Sequence, residues 1–151
     1  LFVEYPNGPG AWLVDNEYLF GSSILVAPLF EEVEERDVYL PEGTWIDYQT
    51  KKVYQGGWHK IEAGAIPIIV LVRNGSAIPH IKLAQSTKDM DWSKLTLKVY
   101  ATDATTTATA KVFLPEGDKV QTIKKKKKGN SFEVDANPFN GKTTFKTELI
   151  K

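Results

Sequence analysis

The chain has 151 residues, 42% of them hydrophobic and 11% aromatic, enough for one ordinary domain or two small ones with a real core. Nineteen basic side chains cancel nineteen acidic ones and cysteine is absent, which excludes a general nucleic-acid binder, a disordered tail, a disulfide framework, thiolate metal sites and cysteine catalysis. No apolar run approaches the roughly 20 residues of a membrane span and no basic-then-apolar leader opens the sequence, so it reads as soluble, with no membrane partner and with its compartment left open.

Leu1 stands where Met is expected, and Leu1-Phe2-Val3-Glu4-Tyr5-Pro6 reads as a strand running into a turn, as in a piece of a longer protein. From there, short runs of β-branched and aromatic residues bounded by Gly, Pro, Asn and Asp recur, without sustained helical periodicity. Strands are predicted at residues 23–30, 36–40, 44–48, 52–54, 66–73, 95–101, 109–114, 120–126, 131–135 and 143–149, a spacing that fits an all-β sandwich. Ile68-Ile69-Val70-Leu71-Val72 does not alternate and is predicted to be a strand covered on both faces, ending at the Asn74-Gly75 turn. Leu95-Thr96-Leu97-Lys98-Val99-Tyr100 alternates, with Leu and Val on a buried face and Thr, Lys and Tyr on a wet one. Val38-Tyr39-Leu40-Pro41-Glu42-Gly43 is echoed by Val112-Phe113-Leu114-Pro115-Glu116-Gly117, each predicted to be a strand stopped by proline and a Glu-Gly turn. The echo suggests two β-modules, with the polar stretch 84–91 as the linker or long loop between them. Charge is uneven in the same sense: residues 1–50 hold ten acids and one base, and residues 51–151 hold eighteen bases and nine acids.

Candidate chemistry is sparse. His59 and His80 lie in no metal-ligand spacing, and His59, after Gly56-Gly57-Trp58, reads as a hairpin-turn residue. Gly21-Ser22-Ser23 and Gly75-Ser76 read as turns, since neither supplies a nucleophile elbow, and no phosphate-cradling glycine loop is present. Glycoside hydrolysis needs two carboxylates held about 5–9 Å apart. Glu31-Glu32 and Glu34-Glu35 read instead as a solvated edge, while Asp89-Met90-Asp91-Trp92 offers two acids beside an aromatic. The five lysines from Lys124 to Lys128 read as a charged edge strand that resists edge-to-edge pairing, with a polyanion contact as the other reading. Trp45, Tyr48, Trp58 and Trp92 could form a sugar-stacking platform, or could build the sandwich cores.

The order of motifs says more than any one of them. Phe2-Val3-Glu4-Tyr5-Pro6 is followed by Asp15-Asn16-Glu17-Tyr18-Leu19-Phe20-Gly21 and by Ile24-Leu25-Val26-Ala27-Pro28-Leu29-Phe30. Next come Val38-Tyr39-Leu40-Pro41-Glu42-Gly43-Thr44-Trp45-Ile46-Asp47-Tyr48, then Gly56-Gly57, and last Val70-Leu71-Val72-Arg73-Asn74-Gly75-Ser76-Ala77-Ile78-Pro79. This series resembles the C-terminal part of glycoside hydrolase family 31, the α-glucosidases and α-xylosidases, over residues 1 to about 80, and is weak beyond residue 84.

The resemblance implies a large parent enzyme, a (β/α)8 barrel followed by proximal and distal β-sandwiches. Residues 1–29 would then be the end of the barrel, 30–80 the proximal and 81–151 the distal antiparallel sandwich. It implies retaining α-glycosidase chemistry on two aspartates of earlier barrel strands. Neither aspartate segment exists here, and Asp89-Met90-Asp91 lacks the Asn-Glu continuation, so no catalytic, cofactor-binding or metal-binding residue is assigned and the chain alone is expected to be inactive. No Y-E-D-D-G-like segment lies between residues 95 and 151, a departure that favours an α-xylosidase-like parent. The implied partners are the rest of the parent enzyme, an oligosaccharide through that parent, and a second copy in a homo-oligomer. A carbohydrate-binding module and a protein-interaction sandwich are the alternatives.

Overall fold

A computed structural model of the chain describes residues 1–112, 121–129, 131–134 and 143–150, with side chains left undescribed at 121–126, 128 and 134. The Phe113-to-Gly117 part of the echo, and the ends of the strands predicted at 109–114, 120–126 and 131–135, lie outside the described residues. The described residues form eleven strands and a single 3-10 turn, Thr87–Asp89. They fall into two compact units, Leu1–Asn74 and Gly75–Lys151.

The first unit is one antiparallel sheet made of β1 (Tyr18–Phe20), β2 (Ile24–Pro28), β3 (Glu35–Asp47), β4 (Val53–Glu62) and β5 (Ile68–Arg73), in the order β1-β2-β5-β3-β4. As its unbroken apolar run predicts, β5 is central. Leu71 and Val72 are adjacent, face opposite ways on the pleat, and are both fully buried. Leu25, Ala27, Val38, Leu40, Trp45, Ile61, Ile69 and Leu71 make the core. β2 pairs with β5 from Ile24↔Val72 to Pro28↔Ile68, so residues 24–28 belong to the same sheet as the strands after them, and the expected boundary between residues 29 and 30 does not divide this unit.

Pro41 does not end its strand. β3 and β4 pair at Leu40↔Gly57 and resume at Thr44↔Gln55, so residues 41–43 oppose Gly56 alone in a β-bulge. The bulge takes the proline out of the ladder, where its missing N–H costs nothing. It also turns the Pro41 carbonyl onto the buried Trp45 indole, whose Nε1–H donates to it at 2.9 Å. Backbone approaches so closely here that a Cβ on Gly56 would lie 2.9 Å from Glu42 Cα and from Pro41 O. The Gly56-Gly57 pair that reads as a turn is therefore strand interior, Gly57 at φ 123°, and β4 continues through Trp58 and His59.

The second unit holds β6 (Ser76–His80), β7 (Lys94–Tyr100), β8 (Thr107–Val112), β9 (Gln121–Lys128), β10 (Ser131–Val134) and β11 (Thr144–Ile150), in the order β10-β9-β8-β6-β7-β11. Its two outermost strands, β10 and β11, approach each other as the sheet curls. Phe132 of β10 thereby joins Leu95, Leu97 and Val99 of β7 in one core, with Phe145 and Leu149 of β11 packed on it. The wholly antiparallel expectation holds for the first sheet but not here, because β11 runs parallel to β7 and β6 bridges β8 in parallel. In that register Phe145 and Leu149 stand opposite Leu95 and Val99, so apolar side chains of both strands reach the same face. Tyr100, expected on the wet face, is fully buried.

Two further expectations are corrected. The stretch 84–91 joins β6 to β7, which are neighbours in one sheet, so it is a loop within the second unit and not a linker. The units divide at Asn74 and Gly75, six residues before the expected end of the proximal module, because residues 76–80 form a strand of the second sheet. That strand is masked in the sequence by Pro79, which the fold tolerates because β6 meets β8 only at Ser76 and leaves the N-side of Pro79 without a ladder.

Candidate functional site

The residues singled out for chemistry are dispersed. Trp45 is fully buried in the first core, with its ring beneath the Arg73 guanidinium at 5.2 Å, so it cannot serve a sugar platform. Tyr48 is half-buried, and Trp92 is half-buried in the other unit. Of the four aromatics only Trp58 is open, at 54% exposure. Asp89 and Asp91 are exposed and engaged locally: Ser86 Oγ donates to Asp89 at 3.0 Å, and the Ser93 hydroxyl and N–H hold the Asp91 carboxyl below the usual carboxylate range, with Lys94 adding to it. Glu31, Glu32, Glu34 and Glu35 are exposed, as the solvated-edge reading expects, and Glu35 pairs with Lys60 at 2.6 Å. His59 is a strand residue whose Nε2 lies 2.6 Å from Gln55 O, and His80 Nδ1 lies 2.9 Å from Ile78 O. Lys124 to Lys128 lie on β9, which is paired on both sides by β8 and β10, so they do not form an edge strand. Among the described residues no group of three or more His, Cys, Asp or Glu side chains could hold a metal ion.

Three features of the first unit were not singled out by the sequence. The first is an apolar surface near the chain start. Phe2 stacks on Trp12 with ring centroids 4.9 Å apart, the Trp12 indole donates to Pro6 O at 2.8 Å, and both rings remain exposed. Tyr18 and Phe20, two residues apart on β1 and hence on one face of an edge strand, are exposed as well, Phe20 at 67%. Large exposed aromatics that pair, as Phe2 and Trp12 do, mark a contact surface more than an ordinary solvated face.

The second is an open groove of about 630 Å³ between the 9–13 segment and the β3–β4 bulge, lined by Leu13, Tyr39, Glu42, Gln55, Gly57 and Trp58 among others. Tyr39 forms its base: the ring is buried, packs against Trp58 at 5.4 Å, and is covered so closely that a Cβ on Gly10 would fall 2.3 Å from it.

The third is Glu17, a buried carboxylate. Its Oε2 accepts from the Tyr39 N–H at 3.3 Å, while Oε1 has no hydrogen-bond partner among the described residues. Burial pushes its pKa up from 4.5 to about 7, against the opposing pull of the Tyr39 N–H and the Arg36 charge. Arg36 is itself held by Asn16 and, at 2.9 Å, by Pro28 O. An acid is ordinarily read as exposed, so nothing in the one-dimensional pattern marks Glu17 as buried.

Residues 1–78 match the family model described as the glycosyl hydrolase family 31 C-terminal domain, a span that takes in the whole first unit. Alpha-glucosidase 2 of Bacillus thermoamyloliquefaciens is 36% identical over 93 residues, covering 60% of this chain and 12% of its own. Alpha-xylosidase XylQ of Lactiplantibacillus pentosus is 34% identical over 100 residues, covering 60% of this chain and 13% of its own. The solved structure of a family 31 dextranase of Flavobacterium johnsoniae, complexed with glucose, superposes with a TM-score of 0.72 at 26% identity over 88% of this chain and 18% of that one. The match therefore spans about an eighth of the length of these two curated relatives.

Proposed function

The chain belongs to glycosyl hydrolase family 31, as its C-terminal β-region, and from that premise we propose that it serves a retaining α-glycosidase, an α-glucosidase or α-xylosidase that releases terminal α-linked sugars. The observation that carries the reading is the family match over residues 1–78, which coincides with a self-contained sheet and core. Chemistry would reside on an aspartate nucleophile and an aspartate acid–base outside these 151 residues. Of the acids described above, Asp89 and Asp91 are exposed and tied to local serines and Glu17 is buried, so none of these is assigned to the paired arrangement that hydrolysis requires. The chain's part is structural. The catalytic barrel covers the exposed aromatics Phe2 and Trp12 and those of the edge strand, Tyr18 and Phe20.

The test compares two proteins. The natural gene product is expected to hydrolyse an aryl α-glucoside or α-xyloside with retention of anomeric configuration, read by proton NMR of the first-formed sugar. The 151-residue chain alone is expected to give no turnover. Turnover by the chain alone, or a natural product without α-glycosidase activity, would overturn the proposal.

A further inference from the structure

We propose that the groove at the β3–β4 bulge is a non-catalytic binding site for a neutral pyranose oligosaccharide, with Trp58 as its stacking surface and Gln55 and Glu42 as its polar contacts. The inference goes beyond the proposed function and stands on the groove's own chemistry. A pyranose ring has an apolar C–H face and a rim of hydroxyls that both donate and accept. It is recognised by a flat ring beside polar groups of both kinds, within a concavity that excludes water from the stacked face.

The groove supplies each part. Trp58 is held from behind by the buried Tyr39 ring at 5.4 Å while half its surface stays open, so the indole is oriented before any ligand arrives. Leu13 extends the apolar wall. The Gln55 carbonyl oxygen accepts from Thr44 Oγ1 at 3.1 Å, which fixes the amide and leaves its NH2 group to donate. Glu42 is exposed and makes no hydrogen bond or ion pair among the described residues, leaving its carboxylate to accept from hydroxyls. Gly43 and Gly57, at φ 127° and 123°, keep the lining bare where a Cβ would stand in open space. Those backbone angles favour glycine, so the bulge itself preserves room for a ring.

The charge also selects. A carboxylate with no Lys or Arg among the described residues that line the groove disfavours uronates and sulfated sugars, so the ligand class is neutral.

The experiment titrates the 151-residue chain, labelled with 15N, with maltotriose, isomaltotriose and a trigalacturonate. Saturable shifts of the Gly43, Gln55 and Gly57 amides and of the Trp58 indole N–H are expected with at least one neutral trisaccharide and not with the trigalacturonate. Trp58→Ala, at an exposed position whose loss leaves the core intact, is expected to weaken binding at least tenfold, and Gln55→Ala several-fold. Glu42→Gln is expected to admit the anionic sugar. Absence of saturable shifts with both neutral sugars in a folded chain, shifts elsewhere on the protein, or undiminished binding by Trp58→Ala would overturn the proposal.

Discussion

Replacing Glu17 by Gln removes a buried carboxylate of the first unit while keeping its shape and an acceptor for the Tyr39 N–H. The carboxyl titrates at about 7 in the folded chain against 4.5 for the free group. Below pH 4.5 both states hold the proton and the wild type has no electrostatic disadvantage. As pH rises from there to about 7, the unfolded chain releases its proton first, so folding stability falls, and above pH 7 the whole loss is in place. Each pKa unit corresponds to about 1.4 kcal/mol, and allowing for relaxation and solvent screening the loss comes to about 2 kcal/mol. The assay is urea unfolding at pH 4.5 and pH 8.5, followed by tryptophan fluorescence, to which Trp12, Trp45 and Trp58 contribute from the first unit. Glu17→Gln is expected to be more stable than wild type by about 2 kcal/mol at pH 8.5 and no more stable at pH 4.5. Equal differences at the two pH values, or a variant destabilised at pH 8.5, would refute the burial argument.

Packing and bulge geometry give further expectations. Leu71→Ala empties a fully buried position on the central strand and is expected to lower stability by about 3 kcal/mol, measured by the same urea titration. Gly56→Ala forces a Cβ against backbone at 2.9 Å and is expected to cost about 2 kcal/mol, seen as a fall in melting temperature in circular dichroism. Trp45→Phe removes the indole donor to Pro41 O and is expected to destabilise by about 2 kcal/mol, partly from the unpaired carbonyl and partly from lost volume, again by urea unfolding. Lys60→Ala breaks an exposed ion pair and is expected to leave the melting temperature unchanged.

Much of this architecture is legible in the sequence, and the exceptions have physical causes. The unbroken run from Ile68 to Val72 shows a doubly covered strand, because only a sheet's centre buries both faces of consecutive residues. Proline and paired glycines misled in three places for one reason: they are read as punctuation, whereas a bulge at Pro41 and Gly56, and a side without a ladder at Pro79, let a strand run through them. The parallel pairing of β11 with β7 joins segments about fifty residues apart, and local periodicity carries no information about direction. The family resemblance, carried by the order of motifs up to residue 80, agrees with the span that the family model matches. The groove was half-legible: Trp58 was singled out, but its neighbours Glu42, Gln55 and Leu13 come from three segments that only the fold brings together.

The central claim, that this chain works as the C-terminal β-region of a family 31 α-glycosidase, is tested most directly by the intact mass of the natural gene product, captured from cell extract with an antibody raised against these 151 residues. The account expects a species several times heavier than 16.9 kDa. A species of about 16.9 kDa would contradict it.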